Sequence, residues 1–257
     1  MSDDRSTVLR AESLTVRYGG VHANNDVSID VGPGEIVGLI GPNGAGKTTF
    51  VDAVTGFTTS TGRVQVDGIE VNGMSPHRRR AHGLARTWQA GELFAELTVA
   101  ENLMVASRRV GLRTLLDDLI RPRHPRSDAV DRALELVRLG DVADRRPTEL
   151  ALGQQKLVGV ARALVGEPHV VLLDEPAAGL DTHESLQFGD EVRRIAELGI
   201  GVLLIDHDVT LVLAVCHRLY VMNFGSIIAA GTPDHIRQHP EVIEAYLGHA
   251  GAEGAAT

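Results

Sequence analysis

Gly41-Pro42-Asn43-Gly44-Ala45-Gly46-Lys47-Thr48-Thr49 matches G-x-x-x-x-G-K-[ST], the pattern of a phosphate-wrapping loop, or P-loop. It stands where such a loop must stand, after the apolar run Ile36-Val37-Gly38-Leu39-Ile40 and before a helix-like segment. Its glycines let backbone N–H groups approach phosphate oxygens closely. Lys47 can neutralise β/γ charge, and the Thr48 hydroxyl can hold Mg²⁺. The helix that starts here adds the positive end of its dipole. A plain glycine-rich turn between strand and helix is the alternative. Lys47 and Thr48 together, with these flanks, favour the phosphate loop.

Working outward, the 257 residues are 43% hydrophobic and 23% charged, enough for a sizeable core in one domain or in a domain with an inserted lobe. The formal net charge of −9 argues against a general binder of phosphate backbones. The single cysteine, Cys216, gives no intramolecular disulfide framework and reads as a small buried residue. Met1 to Thr7 is polar and lacks a signal-peptide pattern. The longest apolar runs are strand-sized, well short of the roughly 20 residues of a membrane-crossing helix. Any membrane role is therefore expected to pass through a partner.

Leu9 to Tyr18 and Val27 to Val31 alternate as strands do, Gly32-Pro33-Gly34 turns into the P-loop strand, and Gly62 to Val66 precedes an Asp67-Gly68 turn. Thr98-x-x-Glu101 is a capping box that opens a helix-rich middle third. Val170 to Leu173 and Val202 to Ile205 are continuous apolar runs, as in parallel strands buried on both faces. This order predicts one α/β domain over 1–257. Its P-loop NTPase core has a mixed sheet with an antiparallel β part and a helical subdomain inserted at roughly residues 90–165. Residues 250–257 read as a disordered tail. The basic runs His77-Arg78-Arg79-Arg80 and Arg121 to Arg126 read as solvated helix faces or partner contacts.

The second chemical cluster is Val170-Val171-Leu172-Leu173-Asp174-Glu175-Pro176. A buried strand that ends in two carboxylates puts charge at the edge where open α/β sheets bind ligands. Asp174 is placed to hold Mg²⁺, directly or through water, and Glu175 to polarise an attacking water as general base. A solubilising turn is the alternative reading.

With these motifs in order, the chain resembles the ATP-binding subunit of an ABC transporter over essentially its whole length. The resemblance implies that Tyr18 stacks on adenine, although a tyrosine at a strand end can also simply pack. It implies that Gln89, in Arg86-Thr87-Trp88-Gln89, approaches Mg²⁺ and water and senses the membrane partner. Leu150-Ala151-Leu152-Gly153-Gln154 stands where the family has its L-S-G-G-Q signature, a helix N-terminus offered to ATP on the other subunit. Ala151 departs from that pattern because the serine hydroxyl is missing. Ala178-Gly179-Leu180-Asp181 matches the D-loop that crosses the dimer interface, and Asp181 with Glu184 also forms a capping pair. His207 matches the switch histidine at the γ-phosphate.

The resemblance further implies ATP and Mg²⁺ as ligands and a dimer with a second ABC ATPase, the same or different. It implies two membrane permeases, an external solute-binding protein met only indirectly, and a peripheral place on the cytoplasmic face of the membrane. Ala151, Leu84-Ala85-Arg86-Thr87-Trp88-Gln89 and the ending from Pro240 to Gly248 resemble the branch that powers branched-chain amino-acid import. ATPases of lipid or lipopolysaccharide transporters are the alternative. A soluble ABC ATPase acting on DNA or the ribosome fits less well, because the chain is acidic and lacks a coiled-coil arm or a second cassette.

Overall fold

The structure is a computed structural model that describes residues 6–87, 93–107 and 127–245. Trp88, Gln89, the Arg121 to Arg126 run, and the terminal residues from Tyr246 onward, including the expected tail, lie outside these ranges.

The continuous apolar runs form β3 (Ile36–Ile40), β7 (Val170–Asp174) and β8 (Gly201–Ile205), and every residue in them is buried. That is what strands covered on both faces require. With β6 (Leu84–Arg86), β9 (Arg218–Asn223) and β10 (Ser226–Gly231) they make a six-stranded sheet of order β10-β9-β3-β8-β7-β6. All its neighbours run parallel except the β9/β10 hairpin. A second sheet is wholly antiparallel, in the order β2-β1-β4-β5, from β1 (Leu9–Tyr18), β2 (Val21–Val31), β4 (Thr61–Val66) and β5 (Ile69–Glu70). Asp67 and Gly68, both at positive φ, form the two-residue turn between β4 and β5.

Strand alternation divides the core into two layers. Val37, Leu39, Leu172 and Leu203 point toward the antiparallel sheet and α1 (Lys47–Thr55). Ile36, Ile40, Leu173 and Leu204 point to the opposite face, where α6 (Thr182–Glu197) and α7 (Val209–Val215) pack. Between β6 and β7 the described elements are helical: α3 (Val99–Ser107), α4 (Asp128–Leu136), two short 3₁₀ turns and α5 (Leu152–Leu164). Their apolar faces join the second layer. Thr98 and Glu101 cap α3 reciprocally, at 2.8 and 3.2 Å, as the sequence pattern implies.

Two findings differ from the sequence reading. β2 begins at Val21 rather than Val27, because register shifts absorb its polar start. Asn24 there is fully buried and bonds to the P-loop. Arg79, in α2 (Pro76–Ala81), is not on a solvated face. It is buried, and its guanidinium donates to the carbonyls of Met74, Ala53 and Val54. A cation at the C-terminus of α1 donates to carbonyls of its last turn, where the Ala53 carbonyl also accepts from the Gly56 N–H, and complements the dipole. α8 (Pro233–Arg237) follows β10 and is capped by Thr232.

Candidate active site

The β3 strand delivers the chain to Gly41, and the loop closes by letting glycines press on neighbouring backbone. A Cβ on Gly41 would meet the Met222 carbonyl oxygen at 2.1 Å, and one on Gly46 the Ala23 carbonyl oxygen at 2.4 Å. Both glycines have positive φ, so no other residue fits there without moving backbone. Asn24 locks the far side, with Nδ2 donating to the Gly46 carbonyl at 3.0 Å. The sequence reading missed this residue, since an asparagine in a polar strand start carries no visible signal.

Lys47 opens α1. Its ammonium is turned onto the loop itself, donating to the carbonyls of Gly41 and Pro42 at 2.7 and 3.1 Å. Burial pulls its pKa below the ordinary lysine value, and the nearby Glu175, Asp174 and Asp206 carboxylates oppose that pull. Asn43 to Thr49 and Glu175 line one open groove of about 410 Å³. The P-loop and one of the two carboxylates are thus brought together as expected. Phe224, in the β9/β10 turn, lies on the same groove and is 83% exposed, which sequence reasoning did not single out.

Asp174 ends β7 and is 4% exposed. The next residue, Glu175, has φ 47, a left-handed conformation that is uncommon and costly outside glycine. Its N–H donates to the Ile205 carbonyl at 2.7 Å, which fixes the bend. The bend takes Glu175 out of the strand's alternation and onto the rim of the groove. β8 ends beside it, because Asp174 pairs with Ile205. Asp206 is buried and accepts from Ala177 and Asp208 backbone N–H groups at 3.3 and 2.9 Å, tying the turn after β7 to the turn after β8. His207 follows, largely exposed, with Nδ1 3.6 Å from Asp206.

These observations meet the comparisons with known proteins. Residues 24–178 match the ABC transporter family, and 226–252 match the family described as branched-chain amino acid ATP-binding cassette transporter. The chain belongs to the ABC transporter ATPase family. It is a transport ATPase of that family, and its domain binds nucleotide. It is 41% identical over 254 residues to the high-affinity branched-chain amino acid transport ATP-binding protein LivG of Escherichia coli K12, covering 95% of this chain and 98% of LivG. It is 36% identical over 241 residues to the lipopolysaccharide export system ATP-binding protein LptB of the same organism, covering 93% and 97%. A crystal structure of the ADP conformation of an ATP-binding cassette of an ABC transporter superposes with a TM-score of 0.83 at 32% identity, covering 94% and 99%.

In this ABC ATPase several of the other residues singled out in the sequence do not line the P-loop groove. Leu150 is buried, while Ala151 and Leu152 are exposed at the start of α5. None of Leu150, Ala151, Leu152, Gly153 or Gln154 lines the groove. Leu152 lies instead near Gly179 of the turn before α6, whose added Cβ would sit 3.5 Å from it. Asp181 caps α6, its carboxylate accepting from the Glu184 N–H at 2.8 Å while Glu184 accepts from Asp181. Tyr18 is 55% exposed, shares a 3.1 Å hydrogen bond with Thr58 and is not among the groove's lining residues. Gln89 lies outside the described residues.

Two oxygen groups of the kind a divalent cation takes are the Thr48 hydroxyl, exposed in the first turn of α1, and the buried Asp174 carboxylate, which accepts from Arg86. Among the described residues no group of three His, Cys, Asp or Glu side chains gathers to form an all-protein cage. Few protein oxygens, with the rest of the sphere left to phosphate and water, suit Mg²⁺. A larger cavity of about 860 Å³ lies between α2 and α5, with Asp174, Arg86 and Lys156 in its lining. No helix among the described residues is long and apolar enough to cross a membrane.

Proposed function

We propose that this chain is the ATP-binding and ATP-hydrolysing subunit of an importer for branched-chain amino acids or a related small polar solute. In this reading Gly41 to Thr49 hold the triphosphate, with Lys47 leaving the Gly41 and Pro42 carbonyls for the β/γ charge. Thr48 and Asp174 would hold Mg²⁺ together with Gln89, and the ion would neutralise charge developing on the phosphates. Glu175 takes the proton of the attacking water, His207 contacts the γ-phosphate, and Tyr18 meets the base.

The observation that carries the reading is the separation of the two donor sets. The P-loop groove is lined by Glu175 but by no residue of Leu150 to Gln154, which supports a second ATPase subunit as the source of those N–H groups. Two subunits head to tail then complete each site, with Asp181 at the interface, and ATP holds them together. Shifting such closure from 1:99 to 99:1 needs roughly 5.5 kcal/mol of differential binding. Several charge-assisted contacts to a triphosphate could supply it. Closure would drive two permease subunits at the cytoplasmic face of the membrane, fed by an external solute-binding protein. Similarity to LivG and the 226–252 match support the importer branch.

The test is sedimentation of the Glu175→Gln chain, with its partner ATPase, with and without ATP. Dimerisation that requires ATP supports the reading, and a monomer under all conditions removes it. The 36% identity to LptB favours a second reading, an ATPase for a lipid or lipopolysaccharide transporter. Uptake of radiolabelled leucine and urea after deletion of the coding region separates the two: unchanged uptake of both rejects the importer.

A further inference from the structure

Arg86, the last residue of β6, joins two acidic groups that no motif connects. Its Nη2 lies 2.8 Å from Asp174 Oδ2 and its Nη1 lies 2.5 Å from Asp52 Oδ1. The Arg86 side chain is 9% exposed, that of Asp174 4% and that of Asp52 33%. The next residue, Thr87, ties the same strands again. Its N–H donates to the Leu172 carbonyl at 2.9 Å, and its hydroxyl accepts from the Asp174 N–H at 3.3 Å. Asp52 belongs to α1, the helix that Lys47 starts, so a single guanidinium spans the P-loop helix and the end of β7.

A guanidinium is permanently charged, and its fork can serve two carboxylates at once. One such cation between two carboxylates leaves a net negative charge, and the least exposed of the three groups is Asp174, the carboxylate read above as a magnesium ligand. Arginine and the metal ion therefore compete for one group. Asp52 offers the arginine somewhere to stay when Asp174 turns away.

We propose that Arg86 is a positioning residue for the metal site: it holds Asp174 while the cation is away, and Asp52 retains the guanidinium when Asp174 takes the cation. This rests on Asp174 being the magnesium ligand. The arrangement also links that exchange to β6, which ends three residues before Gln89 in the sequence.

The test is an equilibrium titration of Mg²⁺ on the full chain with a fluorescent methylanthraniloyl-ATP, which reads binding and not turnover. Asp52→Asn removes the charge of the second carboxylate, so Arg86 is held more by Asp174 and half-saturating Mg²⁺ rises, by about threefold to tenfold. Arg86→Met removes the competitor, so half-saturating Mg²⁺ falls by about as much. Opposite shifts support the proposal. Shifts in the same direction, or none, overturn it, because a merely structural clamp would not discriminate between the two. If Arg86→Met does not fold, Asp52→Asn decides alone: a rise supports the competition and no change ends it. Asp174→Asn is the control on the underlying assignment. If it leaves the magnesium dependence untouched, Asp174 is not a ligand and both statements fall. If it alone raises the requirement, Asp174 stands and only the role of Arg86 is lost.

Discussion

The loop at Gly41 to Thr49 and the helix start at Ala151 to Gln154 are the two segments proposed to offer backbone N–H groups to phosphate, but they are built to very different degrees. In the loop, Gly41 and Gly46 are wedged against the Met222 and Ala23 carbonyls, Asn24 grips Gly46, and Lys47 is folded onto Gly41 and Pro42. It is a socket built by its own chain. Ala151 and Leu152 stand at the surface where this helix begins, and the Ala151 N–H is held by the Gln154 side chain, which accepts from it at 3.3 Å. Under the proposed function, the contrast separates the half of the nucleotide site that this chain builds from the half that a second subunit would add.

The largest test of that contrast concerns the socket's rim. Glu175 is forced into a left-handed conformation at the end of a buried strand, a strain that persists only where the surroundings over-determine it. Glu175→Gln keeps the shape and removes the carboxylate proposed as the base. Steady-state turnover of the assembled complex should fall by about 10² to 10⁴-fold, with ATP affinity kept. Normal turnover would remove Glu175 as the base. Next in size is Lys47→Ala. It deletes the charged donor of the socket, and a hydrogen bond to a charged group contributes roughly 1.5–3 kcal/mol, so ATP affinity should weaken by about 10- to 100-fold. Affinity measured by titration and found unchanged would mean that the loop N–H groups alone carry the phosphates.

Much of the socket was legible in the sequence because its constraints are local. Glycine at positive φ, lysine and threonine at fixed spacing, and apolar strands that end in carboxylates are all set within a few residues. What pairs across distant strands was not legible. Asn24 reads as an ordinary polar residue until β2 is laid against the P-loop, and Arg79 reads as surface charge until α2 is laid against the end of α1. Arg86 likewise needs the β6/β7 pairing, Arg86 against Leu172, to reach Asp174. Asp206 needs both turns at the sheet edge before its role as a tie between them can be seen. Of the antiparallel sheet, β1 and β4 were read as strands, the two-residue β5 after the Asp67-Gly68 turn was not, and β2 lost its start, where register shifts break the alternation that sequence reading depends on.

The smallest effect is the sharpest test of the helix start. A serine at position 151 would stand at the N-cap of α5, where a hydroxyl can accept from the N–H of Gln154 while Gln154 already accepts from residue 151. The same hydroxyl could instead face outward to a phosphate on the neighbouring subunit. The two uses give separable signals. Capping its own helix contributes about 0.5–2 kcal/mol of stability, so Ala151→Ser should raise the melting temperature of the isolated chain by roughly a few degrees. Reaching a phosphate should raise ATPase activity of the assembled complex by about threefold and leave nucleotide affinity of the isolated chain unchanged. We expect both. A gain in melting temperature with no gain in turnover would mean that the backbone N–H groups suffice at the interface, and that the hydroxyl is used within the subunit that carries it.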